Sequence, residues 1–181
     1  MDKLRVFFIL LLSIGSKTFI KAIYGKSVVL GSFFKSIYVP YIRCRAGGKI
    51  IIKNVNFRSG VSIFSDGGLL EINEGTFINS GCSFNTRKKI YLGKNVLIGE
   101  GVKFYDHNHQ VDDFYNVSFD LFDEAPIHIG DNCWIGSNCV VLKGVSICNN
   151  VVIGAGTILR KNIEESGIFV SDGMGGVKKI K

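Results

Sequence analysis

The sequence predicts an all-β solenoid. Three observations carry that prediction: a six-residue beat of apolar positions, a small or β-branched residue four places after most of them, and Gly/Asn clusters between. Through the second half of the chain the beat falls on Ile129, Ile135, Val141, Ile147, Ile153 and Leu159. The companion slots hold Cys133, Cys139, Val145, Val151 and Thr157. The same pattern stands earlier at Ile72, Ile78, Phe84 with Thr76 and Cys82, and at Leu92, Ile98, Phe104 with Val96 and Val102. A weaker copy occupies Ile51, Phe57, Ile63 with Val55 and Val61. A helix would repeat at about 3.6 residues and a lone strand at 2, so a period of six reads as a short strand plus a corner. Three such faces close one turn, and a chain that repeats itself stacks its turns. Gly130-Asp131-Asn132, Gly136-Ser137-Asn138 and Gly154-Ala155-Gly156 supply residues that tolerate tight corners.

The N-terminal segment, residues 1–45, breaks the beat. Val6 to Leu12 is an apolar run preceded by Lys3 and Arg5. A spanning helix needs about 20 apolar residues, and Ser13, Gly15, Ser16 and Lys17 cut this run short. A secretory signal would need a small-x-small cleavage site, which does not stand out here. The pattern instead predicts two short helices, at 3–14 and 17–37, that cap the first coil or lie on a membrane. A cap is required in either case, because the first coil would otherwise expose an apolar face and unpaired strand edges.

Charge sharpens this division. The chain carries net +7, but residues 1–58 hold eleven Lys/Arg against one acid, and residues 59–181 hold eleven against fourteen. The basic excess therefore belongs to the N-terminal region, where it suits anionic headgroups or anionic substrates and makes residues 1–40 a candidate membrane surface. No finger, helix-turn-helix or stacking-platform motif supports a nucleic-acid partner. The five cysteines include no CxxC pair, and Cys82, Cys133 and Cys139 fall in inward slots. They read as packing residues in a reducing compartment, and the chain as cytoplasmic or held at the inner face of a membrane.

The coil occupies residues 46–163 and its beat breaks three times. Two short breaks, 64–71 and 85–91, read as corner insertions. The long one separates Phe104 from Ile129 by 25 residues rather than six. The loop, 105–127, opens with Tyr105-Asp106-His107-Asn108-His109. Long excursions from a compact solenoid are usually functional. An imidazole can take a proton from a hydroxyl near neutral pH, which makes His107 the candidate general base, with Asp106 or another loop carboxylate orienting the ring. Residues 164–181 form a C-terminal tail.

The stretch Ile129-Gly-Asp-Asn-Cys-Trp134-Ile-Gly-Ser137 through Ile153-Gly-Ala-Gly156-Thr-Ile resembles the hexapeptide-repeat acyltransferases, most of all the branch of galactoside, maltose and polysaccharide O-acetyltransferases. The resemblance spans residues 48–163. It implies a left-handed parallel β-helix, a homotrimer with sites between subunits, and acetyl-CoA as co-substrate. His107 matches the family's catalytic histidine, and Asn85 stands near a functional asparagine. Trp134 matches an aromatic beside the pantetheine arm. Gly136 and Ser137 would lie near the thioester, Ala155 and Gly156 along the arm, and Arg160 and Lys161 by the phosphates. The family's C-terminal Gly-x-Pro-Ala-Lys-like segment is replaced here by Gly173-Met-Gly-Gly-Val-Lys178-Lys179-Ile-Lys181, without the proline.

The expected reaction is transfer of an acetyl group to a saccharide hydroxyl in capsule, exopolysaccharide or O-antigen synthesis. N-acetylation of an amino sugar or nucleotide-sugar is the first alternative, and a non-catalytic scaffold the second. No metal is expected. A zinc site of the γ-class carbonic anhydrase kind would need histidines on the coil face, whereas all three stand at the long loop or its exit.

Overall fold

The structure is a computed structural model that describes residues 3–31 and 38–181. Three parallel sheets wrap one core. The first contains Val28–Leu30, Lys49–Ile52, Leu69–Ile72, Lys89–Leu92, Ile127–Ile129 and Ser146–Ile147 in hydrogen-bonded order. The second runs from Asn56–Phe57 through Phe77–Ile78, Leu97–Ile98, Trp134–Ile135 and Val151–Ile153 to Gly167–Ser171, with Val177–Lys179 added antiparallel at its end. The third holds Tyr41–Arg45, Ser62–Asp66, Ser83–Thr86, Lys103–Tyr105, Val140–Leu142 and Ile158–Leu159. From Lys49 to Leu159 each coil visits the first, second and third sheets in turn, which is the predicted triangular solenoid.

Beat residues stack on their counterparts one coil away. On the third sheet Ile63 faces Phe84, Phe84 faces Phe104, Phe104 faces Val141 and Val141 faces Leu159. All are buried, and the Phe84 and Phe104 rings lie nearly parallel with centroids 4.7 Å apart. The companion slots are buried too, and their polar atoms reach the next corner. The Cys82 thiol donates to Gly99 O at 3.1 Å, Cys133 to Cys148 O at 3.1 Å, and Thr76 Oγ1 to Gly93 O at 3.2 Å. Burial pushes the Cys82 thiol up to about 11, so it is a packing group and not a nucleophile. The residue just before a companion slot has positive φ in corner after corner, as at Asn95, Asn132, Asn138 and Asn150. Asparagine and glycine are the residues that adopt this conformation most readily.

Two expectations need correction. Ile51 is not an inward residue: Ile50 and Ile52 are buried, and Ile51 lies on the outer side of its strand. The corner between Ile52 and Phe57 is one residue shorter than elsewhere, and three consecutive isoleucines hid the phase. The N-terminal segment is one helix, Lys3–Tyr24, and not two. It ends in a single turn, Gly25–Ser27, and Val28–Leu30 is already the first strand of the solenoid. The remainder of the expected second helix, 32–37, lies outside the described residues. Ile20 buries itself against the first coil, and the Tyr24 hydroxyl donates to Ile42 O, so the helix covers that end of the core. Among the described helices none is long and apolar enough to cross a membrane.

Candidate active site

The long excursion leaves the solenoid at the corner between the third and first sheets. It is an antiparallel hairpin of His107–Val111 and Val117–Glu124. Its first residues sit against the corners of the two coils before it, because Arg45, Asp66 and Arg87 recur at intervals of 21 residues. These corners coincide with the two short breaks in the beat.

Asp106 is fully buried at the root of the hairpin. Its carboxylate accepts from Thr86 Oγ1 at 2.6 Å, from the backbone N–H of Arg87 at 2.8 Å and from that of Lys88 at 2.9 Å. His107 Nδ1 lies 2.9 Å from its Oδ1. Burial opposes ionisation, but hydrogen bonds from His107, Thr86 and the two amides prevail and hold the Asp106 carboxyl below the usual carboxylate range. An ionised acceptor fixes the imidazole tautomer: Nδ1 carries the proton and Nε2 keeps its lone pair. The His107 side chain is 19% exposed, so the ring is largely covered but still reachable.

The hairpin is held in place from below. Arg87 forms ion pairs with Asp66 and with Glu124, the latter at 3.2 Å, and its guanidinium carbon lies 3.7 Å from the Phe122 ring centroid. Phe122 in turn meets His107 edge-on at 5.4 Å. Arg45 grips Asp66 through two hydrogen bonds at 3.0 and 3.2 Å. Burial opposes the Asp66 charge as well, yet Arg45 and Arg87 keep its carboxyl below the ordinary range. Asn85, on the outer side of its strand, faces the same space as His107, a cavity of about 390 Å³ whose walls include Arg43, Phe64 and Phe119. His109 turns away, with Nδ1 donating to Ser118 O at 2.8 Å, and His128 stacks on Tyr91 at 4.7 Å.

Asn85, Asp106 and His107 are therefore gathered at one corner. The other predicted residues are elsewhere. Trp134 stands half-exposed on the second sheet. Gly136 and Ser137 form the corner from the second to the third sheet, with Ala155 and Gly156 one coil further on. Within one chain the width of the third sheet separates this group from His107. Gly136 has a structural reason of its own: a Cβ there would come within 2.6 Å of Ala155 N and 2.7 Å of Ile153 O. Arg160 and Lys161 follow the last strand of the third sheet, and Arg160 Nη1 donates to Gly175 O at 3.2 Å. Lys179 pairs with Glu165 at 2.8 Å. Among the described residues no group of three or more His, Cys, Asp or Glu is placed to hold a metal ion.

Thr86, Arg87, Asp66 and Phe122 escaped the sequence reading. The signal was present in the 21-residue spacing of Arg45, Asp66 and Arg87 and in the stacking of two breaks under the third.

Residues 126–161 match the family model described as the hexapeptide repeat of succinyl-transferase. Over this stretch the chain is similar to the hexapeptide-repeat transferases. It is 35% identical over 100 residues to the galactoside O-acetyltransferase of Escherichia coli K12, covering 55% of this chain and 49% of that protein. The chain spans about half the length of the curated relatives it matches. Its fold is similar to that of a maltose O-acetyltransferase from Clostridium difficile 630, with TM-score 0.57, 23% identity, and 99% and 88% of the two chains covered. A polysialic acid O-acetyltransferase is similar with TM-score 0.67, 21% identity, and 85% and 73% covered. In company with these hexapeptide-repeat structures, the solenoid is a left-handed parallel β-helix.

Proposed function

We propose that this chain transfers the acetyl group of acetyl-CoA to a hydroxyl of a saccharide, with His107 as general base. The observation that carries the reading is the His107–Asp106 pair, a buried carboxylate fixing an imidazole that lines an open cavity. Nε2 takes the hydroxyl proton as the oxygen attacks the thioester carbonyl. The tetrahedral intermediate collapses, the C–S bond breaks, and the imidazolium returns its proton to the coenzyme A thiolate. Asp106 stabilises the positive ring between these two transfers. The Asn85 amide lies where it can hold the acceptor or the developing oxyanion.

The donor would lie along Trp134, Ser137, Ala155 and Gly156, with Arg160 and Lys161 meeting its phosphates. These groups and His107 belong to different corners of one chain, so a complete site needs a neighbouring copy, which the homotrimer implied by the resemblance would supply. A sedimentation mass equal to one chain at working concentration would contradict that expectation.

The helix Lys3–Tyr24 leaves Leu11, Ile14, Phe19 and Ile23 exposed, and Lys21 and Lys26 are the basic residues of its last turn and of the short turn after it. This supports docking of the helix on an anionic membrane surface, such as the one where capsule, exopolysaccharide or O-antigen precursors are built. The functional test is acceptor-dependent thiol release from acetyl-CoA across sugars, amino sugars and oligosaccharides. Release with hydroxyl acceptors is expected; release with amino sugars alone would make the reaction N-acylation, and no release with any acceptor would remove the enzymatic reading.

A further inference from the structure

The outer face of the third sheet carries a file of side chains along the His107 cavity. Arg43 pairs in register with Phe64, and Phe64 with Asn85. Their neighbours Ile42, Ile63 and Phe84 point into the core, so strand alternation turns these three outward. Arg43, Phe64 and Asn85 line the same cavity as His107. Neighbouring strands are separated by about 4.8 Å, so Arg43 stands about 10 Å along the sheet from Asn85, with an aromatic ring between them.

The charges of this cavity are matched except at one place. Arg45 is engaged by Asp66, and Arg87 by Asp66 and Glu124. The Asp106 carboxylate is buried and fully hydrogen-bonded. Arg43 is exposed, and among the described residues it has no ion-pair partner. A guanidinium offers a planar fork that suits carboxylates and phosphates, and an aromatic face suits the apolar side of a sugar ring.

We propose that the acceptor is an anionic saccharide: its carboxylate or phosphate binds Arg43, a sugar ring rests on Phe64, and the acetylated hydroxyl reaches His107. This inference rests on the acyltransfer reading and narrows its substrate class to acceptors bearing an oxyanion on the acetylated sugar or its neighbour.

The test measures kcat and KM of the full chain at saturating acetyl-CoA with two matched acceptor pairs. One pair is a hexuronate oligosaccharide and its carboxyl-reduced counterpart. The other is a glycosyl phosphate and the corresponding methyl glycoside. The expected result is a KM about tenfold or more lower for the charged member of at least one pair, and the pair that shows it identifies the anion. Arg43→Ala should raise that KM to the value of the neutral member with little change in kcat, and Arg43→Lys should retain part of the preference. A lesion of the fold would instead lower kcat on both members. Equal KM values within both pairs, or a preference that survives in Arg43→Ala, would overturn the inference and leave the acyltransfer reading standing. No turnover with any acceptor would overturn both.

Discussion

His107 Nδ1 and Asp106 Oδ1 lie 2.9 Å apart, and the same carboxylate accepts from the Thr86 hydroxyl and two backbone amides one coil below. The hairpin that carries the histidine is thus tied to the solenoid through the residue that orients it. Loss of Asp106 should affect both chemistry and stability.

Asp106→Asn removes the charge and keeps the shape. We expect kcat to fall by about 10²–10⁴-fold, because the ring loses the acceptor that fixes its tautomer and steadies its positive form. The stability effect has a definite sign. The folded carboxyl is held below its ordinary value, so as pH falls the unfolded chain takes up the proton first. The contribution of Asp106 is complete above the ordinary aspartate range, near about pH 4, and is lost as pH falls through the lower folded value. Denaturant titrations of both proteins should show a gap that is widest at neutral pH and narrows below about pH 4. A gap that grows on acidification would contradict this assignment.

Arg87→Met should loosen the hairpin without unfolding the coils. The substitution deletes two partly exposed ion pairs and the contact with Phe122 while leaving Arg45 to hold Asp66. A loss of about 1–2 kcal/mol is expected, between the values of surface and buried pairs. Limited proteolysis should then cut within residues 106–125 faster than in the wild type, with a parallel fall in kcat. Unchanged cleavage there would show that Arg87 does not anchor the hairpin.

Gly136→Ala introduces a methyl group against backbone atoms that cannot turn aside. Its Cβ would sit 2.6 Å from Ala155 N, so the two coils must separate locally. Overpacking of this kind costs about 1–3 kcal/mol, and calorimetry should record a lower Tm even in the absence of coenzyme A. An unchanged Tm, with weaker coenzyme A binding, would give this glycine a ligand role instead.

The solenoid was legible because a period of six survives in the chain wherever Ile153 must stack on Ile135 and Leu159 on Val141, 18 residues apart. It failed at Ile51, where an apolar triplet conceals which side faces inward. It failed also at the N-terminus, where Ser13, Gly15 and Ser16 look like breaks. A glycine costs a helix only about 1 kcal/mol, and the contacts of Ile20 and Tyr24 with the first coil favour one continuous helix. Asp106 and His107 were legible as sequence neighbours at the mouth of a long excursion. Arg43, Phe64, Thr86 and Arg87 were not, because only the stacking of coils brings residues some 20 positions apart to one corner. The separation of Trp134 from His107 likewise depends on which corner each coil position occupies.

The most direct test of the account compares His107→Ala with the wild type in acceptor-dependent thiol release and in coenzyme A binding by calorimetry. The account predicts a fall in turnover of about 10²–10⁴-fold with coenzyme A affinity and subunit assembly unchanged. Turnover that survives the substitution would contradict the assignment of His107 as the base.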